Sequence, residues 1–312
     1  MQISTSQLYS SSLRQMSTLS AQVSKYSGQV STGIKLTTAS DDTVAWGRLT
    51  QIKRASADET QYASNLTMAG SLLQQSDSAL GSMETQLQRA RELALRGSTE
   101  TLSDDDRASI AAELDGIVSA MMDVANTTDA RGVPLFAGAD GQTPFARDAS
   151  GRVAYQGKGE PSEIPVSAAG SIAASDSGAR VFGAIGTGEG TTQDMFGIVQ
   201  DLADAFRNGS TADEDDRTAL RDKVSTALTG LTAADDRVTT VRASVGARAA
   251  RVDLQKDQLT ALAETREAER SGLEDADTTE SVVKLQQFTT VLQATQASFS
   301  KLSQLSLFDY LS

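Results

Sequence analysis

Residues 220–262 read LRDKVSTALTGLTAADDRVTTVRASVGARAARVDLQKDQLTAL. Within them Leu220, Val224, Ala227, Leu231, Ala234, Val238, Val241, Val245, Arg248, Val252, Gln255, Leu259 and Leu262 recur at alternating spacings of three and four. That period keeps one face of a helix in line for six heptads, and only Arg248 and Gln255 interrupt its apolar character. A helix of this length cannot hide such a stripe alone, so other long helices must lie along it.

The partner pattern sits in the N-terminal half. Leu66, Ala69, Leu73, Ser76, Leu80, Met83, Leu87, Ala90 and Ala94 keep the same spacing, with Ser76 the one polar member. After Gly97 the chain restarts at Ser103, followed by Asp104, Asp105 and Asp106 and by the stripe Ile110, Leu114, Ile117, Met121 and Val124. Ser at an N-cap with acids in the first turn is helix-start chemistry, so this half reads as a helical hairpin. Met195, Ile198, Val199, Leu202, Ala203 and Phe206 mark a shorter helix ending at Asn208-Gly209. Thr38-Ala39-Ser40-Asp41-Asp42-Thr43 reads as another start, with Ser40 or Asp41 as the cap and the next acid in the first turn.

Between these helical halves the chemistry changes. Pro134, Pro144, Pro161 and Pro165 are the only prolines, and 12 of the 24 glycines fall between Gly132 and Gly190. Asp140-Gly141 and Gly157-Lys158-Gly159 supply turns between short β-prone runs. The predicted fold is therefore mainly α: a long coiled-coil-like helical bundle formed by the N- and C-terminal segments, carrying a small central β-rich inserted domain. Its divisions are terminal helices at 1–40 and 276–312, a bundle at 41–131 and 191–275, and the insertion at 132–190.

The two ends form a class of their own. Residues 1–40 hold 11 serines, no acid, and only Arg14, Lys25 and Lys35 as charges, beside the seam Tyr9, Met16, Leu19, Val23, Tyr26 and Val30. Residues 281–308 carry Leu285, Phe288, Leu292, Phe299 and Leu302, with Lys284 and Lys301 as the only charges among Ser, Thr and Gln. Solvent-facing helices interleave charges, whereas these narrow apolar seams with neutral flanks are suited to being covered. We read both as an assembly interface. The whole chain is −13 and residues 1–40 contribute +3, which leaves −16 on the other 272 residues, so the acidic surplus belongs to the body.

Composition narrows the chemistry. The 312 residues contain no His and no Cys, which excludes a Ser-His-Asp triad, a thiol nucleophile and imidazole or thiolate metal sites. With 28 Lys plus Arg against 41 Asp plus Glu, nucleic acid is a poor partner. No window reaches the roughly 18 apolar residues of a membrane span, and the first 20 residues lack a secretory h-region. Fourteen aromatic residues are few for a sugar cleft, although a carbohydrate-binding insertion is a less favoured alternative. The glycines of VFGAIGTGEG, residues 181–190, do not have phosphate-loop spacing and read as a flexible exit from the insertion. The acidic runs 104–106 and 213–216 lack calcium-loop spacing and read as helix starts. Scattered Lys and Arg read as solvated faces, and Trp46 fits either packing or an interface anchor. No catalytic, cofactor-binding or metal residue is assigned.

Specific motifs also resemble a family. Met1-Gln2-Ile3-Ser4-Thr5, Ser31-Thr32-Gly33 with Ala39-Ser40-Asp41-Asp42, and Arg91-Glu92-Leu93-Ala94 are similar to the flagellin superfamily. The closing Leu292 to Phe299 and Leu305 to Leu311 resemble its hook–filament junction branch more than flagellin itself. About 130 N-terminal and about 100 C-terminal residues carry the likeness. Leu135 to Gly138, Pro144-Phe145 and Val153 to Gly157 match loosely, and Thr43 stands where the family usually has proline. The resemblance implies a non-enzymatic structural protein of the bacterial flagellum that joins the hook, through hook-associated protein 1, to the flagellin filament. It also implies type III export without a cleaved signal, an export chaperone on the C-terminal helix, self-association into a ring or short helical segment, and location at the hook–filament junction. A flagellin that forms the filament is the alternative.

Five apolar seam residues are few against an ordering cost of ~1–2 kcal/mol per residue. The ends are therefore expected to order on assembly. Hydrogen exchange on the free subunit should show fast exchange at residues 1–40 and 281–312; strong protection there contradicts this reading.

Overall fold

The structure, a computed structural model, describes residues 2–99, 102–188, 190–209 and 213–311, with the side chains of residues 1–6, Leu8 and 302–312 left out of the description. In chain order the elements are α1 (Gln2–Thr32), α2 (Thr43–Gly97), α3 (Asp104–Ala125), β1 (Phe145–Arg147), β2 (Val153–Tyr155), β3 (Ile164–Ser167), β4 (Gly170–Ile172), α4 (Gly178–Phe182), β5 (Ile185–Gly188), β6 (Thr191–Gln193), α5 (Met195–Asn208), α6 (Glu214–Glu274) and α7 (Thr278–Leu311). The chain divides into two compact units: Met1–Asp58 with Thr260–Ser312, and Glu59–Leu259. The first, with the terminal helices, is described in the next subsection.

The larger unit is built on the stripes read from sequence. Leu66, Ala69, Leu73, Leu80, Met83, Leu87, Ala90 and Ala94 of α2 are buried, as are Leu220, Val224, Ala227, Leu231, Ala234, Val238, Val245 and Val252 of α6, and both sets join one core. Stripe members Val241, Arg248, Gln255 and Leu259 of the same helix are half-buried. Helix α3 starts in a capping box, in which Ser103 Oγ accepts from the Asp106 amide at 3.1 Å and the Asp106 carboxylate accepts from the Ser103 amide. Asp194 caps α5 through the Gly197 amide at 2.7 Å, and the helix ends at Asn208. Asp213 accepts from the Asp216 amide at 2.9 Å at the start of α6, so both acidic runs serve helix starts. Gly97 closes α2 against α5, where a Cβ would lie 2.3 Å from the Phe206 ring.

The insertion folds as three antiparallel two-stranded pairs, β1–β2, β3–β4 and β5–β6, separated by long irregular stretches. Its core is continuous with the bundle. Phe145 lies 4.9 Å from Phe196 of α5 and 5.5 Å from Phe182, and Phe136 lies 5.1 Å from Phe182, measured between ring centroids. Asn126, at the end of α3, clamps Phe145 by donating to its carbonyl and accepting from its amide at 2.9 and 3.0 Å. Five of the chain's 14 aromatic residues, Phe136, Phe145, Tyr155, Phe182 and Phe196, pack on one another at this junction, a feature that a search for aliphatic stripes does not reveal.

Three expectations are corrected. Residues 181–190 do not form a flexible exit: Val181 and Phe182 end α4, and Ile185–Gly188 pairs with Thr191–Gln193, with Ile185 and Thr187 buried and the alternate residues exposed. The basic residues are not uniformly solvated. Arg107 is 1% exposed and donates to the Leu102 carbonyl at 2.9 Å. Arg248 is partly buried, donates to the Ala173 carbonyl and pairs with buried Asp176, which also holds Arg180. Arg242 bridges Asp77 and Glu84 across the two long helices, at 3.0 and 2.6 Å. Each such arginine is paired with a backbone carbonyl or a carboxylate, and for Arg242 and Arg248 the partner is far along the chain, a pairing that local sequence does not display. The third correction is at the start of α2, where Asp42 and not Ser40 or Asp41 is the cap.

Ser76 interrupts the α2 stripe at 2% exposure, and its Oγ has no hydrogen-bond partner among the described residues. An unpaired buried hydroxyl carries its desolvation cost without return. Ser76→Ala should therefore stabilise the protein by about 1 kcal/mol, seen as a higher urea midpoint with an unchanged slope.

Candidate assembly interface

Within the smaller unit, α1 and α7 form an antiparallel pair. Tyr9 meets Phe299 edge to face with centroids 4.6 Å apart, and Tyr26 stacks on Phe288 at 5.5 Å and 13°. Ser281 Oγ donates to Gln29 Oε1 at 3.3 Å near the linked ends of the helices. The two sequence seams therefore face one another. Met16, Leu19, Val23, Tyr26 and Val30 of α1 are half-buried, as are Leu285, Phe288, Leu292 and Phe299 of α7, while Tyr9 is 37% exposed. Leu302 lies within α7, with its side chain outside the description.

Two helices alone cover most of each seam residue but leave none of the described ones fully buried. The apolar area still in water keeps a fraction of the ~1.5–3 kcal/mol available on full burial to be realised by further contacts. The sequence reading missed a second set, because these residues stand outside the three-four stripe. Leu13 is 51% exposed, Val283 58%, Val291 41% and Val44 82%. Leu13, Val283 and Val291 thus leave apolar area in water on the pair itself, among uncharged Ser, Thr and Gln flanks, while Val44 stands at the start of α2.

The linkers close this unit at the Gln29–Ser281 end of the pair. Asp41 accepts from the amides of Thr38 and Thr37 at 2.9 and 3.2 Å and from both hydroxyls, and faces Lys25 at 3.4 Å. The Thr38 amide, more than any other group, holds its carboxyl well below the usual carboxylate range. The cap of α2 is the next residue: Asp42 accepts from the Val44 and Ala45 amides, both at 2.9 Å. This corrects the reading of Ser40 or Asp41 as the cap. Asp41 is engaged by its own turn, which leaves Asp42 to satisfy the orphan amides of the helix. Trp46 follows on the first turn, half-buried. Farther along, Arg48 pairs with Glu269 at 2.6 Å, and Glu274 receives Lys53 at 2.9 Å and Arg270 at 2.8 Å. The Lys53 ammonium, and then Arg270, hold the Glu274 carboxyl below its ordinary range.

Comparison with known proteins places this arrangement. Two flagellin patterns match: the bacterial flagellin N-terminal helical region over residues 3–140 and the bacterial flagellin C-terminal helical region over 228–311. Flagellar hook-associated protein 3 of Escherichia coli strain K12 is 30% identical over 323 residues, covering 99% of both chains. The chain belongs to the flagellar hook-associated protein 3 family. The crystal structure of FlgL from Xanthomonas campestris is similar in fold at 20% identity and a TM-score of 0.66, covering 70% of this chain and 99% of that one. A flagellin of Listeria monocytogenes is 32% identical over 107 residues, only 34% of this chain. The likeness to this flagellin thus stops at about a third of the chain, whereas the hook-associated protein aligns from end to end. The helical N- and C-terminal regions are features of the matched family, and no described helix is long and apolar enough to cross a membrane.

Two substitutions separate the roles of the faces. Leu292→Glu puts a charge into the α1–α7 seam and should abolish incorporation into flagella together with pairing of the helices. Val283→Glu, on an exposed outer position, should abolish incorporation while leaving the Tyr26–Phe288 contact intact by NMR.

Proposed function

We propose that this chain is a non-enzymatic adaptor of the bacterial flagellum, joining the hook, through hook-associated protein 1, to the flagellin filament. The end-to-end match to a flagellar hook-associated protein carries the reading, and an alignment limited to one third of the chain weighs against a flagellin that forms the filament itself. Physical features agree with an assembling role. The paired terminal helices expose Leu13, Val283 and Val291, whereas the acidic surplus lies outside residues 1–40. Like charge on the bodies keeps free subunits soluble, and neutral ends with unspent apolar surface supply the attraction.

In this reading Tyr9, Met16, Leu19, Val23, Tyr26, Val30, Leu285, Phe288, Leu292, Phe299 and Leu302 order the terminal pair, and neighbouring subunits complete its burial. The terminal segments 1–40 and 276–312 form the inner layer, 41–131 and 191–275 the surrounding bundle, and 132–190 the outer part. Self-association gives a ring or short helical segment. An export chaperone shields the C-terminal helix before the protein leaves through the flagellar type III apparatus.

Immunogold labelling of isolated flagella tests the assignment. A single band between hook and filament is expected; label along the whole filament, or long filaments grown from the purified protein alone, would instead identify a flagellin.

A further inference from the structure

The chain crosses between the terminal pair and the long helices twice, once through residues 33–42 and once through 275–277. These crossings are bonded to each other. The Lys35 amide donates to the Glu274 carbonyl at 2.8 Å, and the Ala276 amide donates to the Gly33 carbonyl at 2.7 Å, with Ile34 and Asp275 as antiparallel partners between them. Lys35 Nζ adds a bond to the Gly272 carbonyl at 2.8 Å, taking one of the carbonyls that the end of α6 leaves open. Gly33 enters the crossing in the left-handed region at φ 72°, and Leu36, 4% exposed, anchors its exit. Glu274, the residue whose carbonyl receives Lys35, is held by its own carboxylate to Lys53 on α2 and Arg270 on α6.

Single linkers would let each terminal helix turn about its own glycine or loop. Two linkers joined by reciprocal backbone bonds lose that independence, since turning one alone breaks both bonds and exposes four polar groups. We infer that residues 33–35 and 274–276 form one coupled hinge, so that α1 and α7 swing as a single arm and stay paired while the arm changes angle. The inference rests on the junction role proposed above, where one subunit must meet neighbours of different geometry on its two sides. For the pair to move as one, rotation has to fall on the long-helix side of the bonded segment in both strands, in the exposed stretch Thr37–Ser40 before α2 and in the last turn of α6 before Glu274.

The absence of cysteine makes the idea directly testable. Ile34 and Asp275 are flanked by the two bonds, the arrangement in which facing Cα atoms lie about 4.5 Å apart, inside the range a disulfide accepts. In the full-length Ile34→Cys/Asp275→Cys variant, oxidation should give one intrachain crosslink, running at monomer mass in purified protein and in isolated flagella. Swimming should stay within about twofold of the reduced state. A crosslink between subunits, or a tenfold or greater loss of motility on oxidation that reductant restores, would overturn the coupled hinge. A measurement independent of the flagellum uses Lys35→Pro, which removes the amide bond to Glu274 and the Nζ bond to Gly272, beside Lys35→Met, which removes only the second. In purified Lys35→Pro protein the Ala276 amide should exchange at least tenfold faster than in Lys35→Met, and an equal rate in the two would refute the coupling. Failure of the immunogold test with the natural protein rejects the junction role and leaves this exchange measurement standing by itself.

Discussion

Everything in this protein follows from the need to cover one side of a 61-residue helix. An α-helix of that length is roughly 90 Å long, and its apolar face has no use for water anywhere between Leu220 and Val252. The cover has to be comparably long, and α2, of 55 residues, provides it from the other end of the sequence. Once the halves of the chain are committed to lie side by side, the intervening residues must loop out. The termini, beyond the reach of that core, are left with each other. The insertion and the terminal pair are thus two outcomes of the same long-range closure.

Much of this was legible because it is periodic. The stripes of α2, α3, α5 and α6 and the seams of α1 and α7 are one-dimensional patterns, and the starts at Ser103 and Asp213 follow from local hydrogen bonding. Pairings across the fold were not legible. Arg107, Arg242 and Arg248 look like surface residues until their carbonyl and carboxylate partners are known. Asp41 and Asp42 are chemically alike, and only the turn at Thr37 and Thr38 decides which of them caps. Residues 181–190 looked loose because glycine dominates them, whereas Ile185 and Thr187 alone are enough to fasten one face of a short strand. At the candidate interface the seams were visible, but not that they turn toward each other and leave Leu13, Val283 and Val291 outward. Those residues obey no period.

Charge is distributed to the same end. Arg242 with Asp77 and Glu84 bridges the long helices of the larger unit, and Arg48–Glu269 and Lys53–Glu274 do so within the smaller one. Exposed pairs of this kind add little stability singly, yet like charges brought opposite one another in a slipped alignment are costly. They fix the register of two helices whose aliphatic stripes, repeating every seven residues, would accept several.

The shared core of the insertion has a consequence for how such a chain can vary. Phe145, Phe182 and Phe196 seal the roots of the insertion into α3 and α5, so trimming it back would open the bundle itself. Its tips carry no such obligation: Ala168 and Ala169, between β3 and β4, are exposed and touch nothing that the bundle requires. Growth at those tips leaves the aromatic core at the roots unchanged, so the insertion can lengthen there without repacking the helices that hold it.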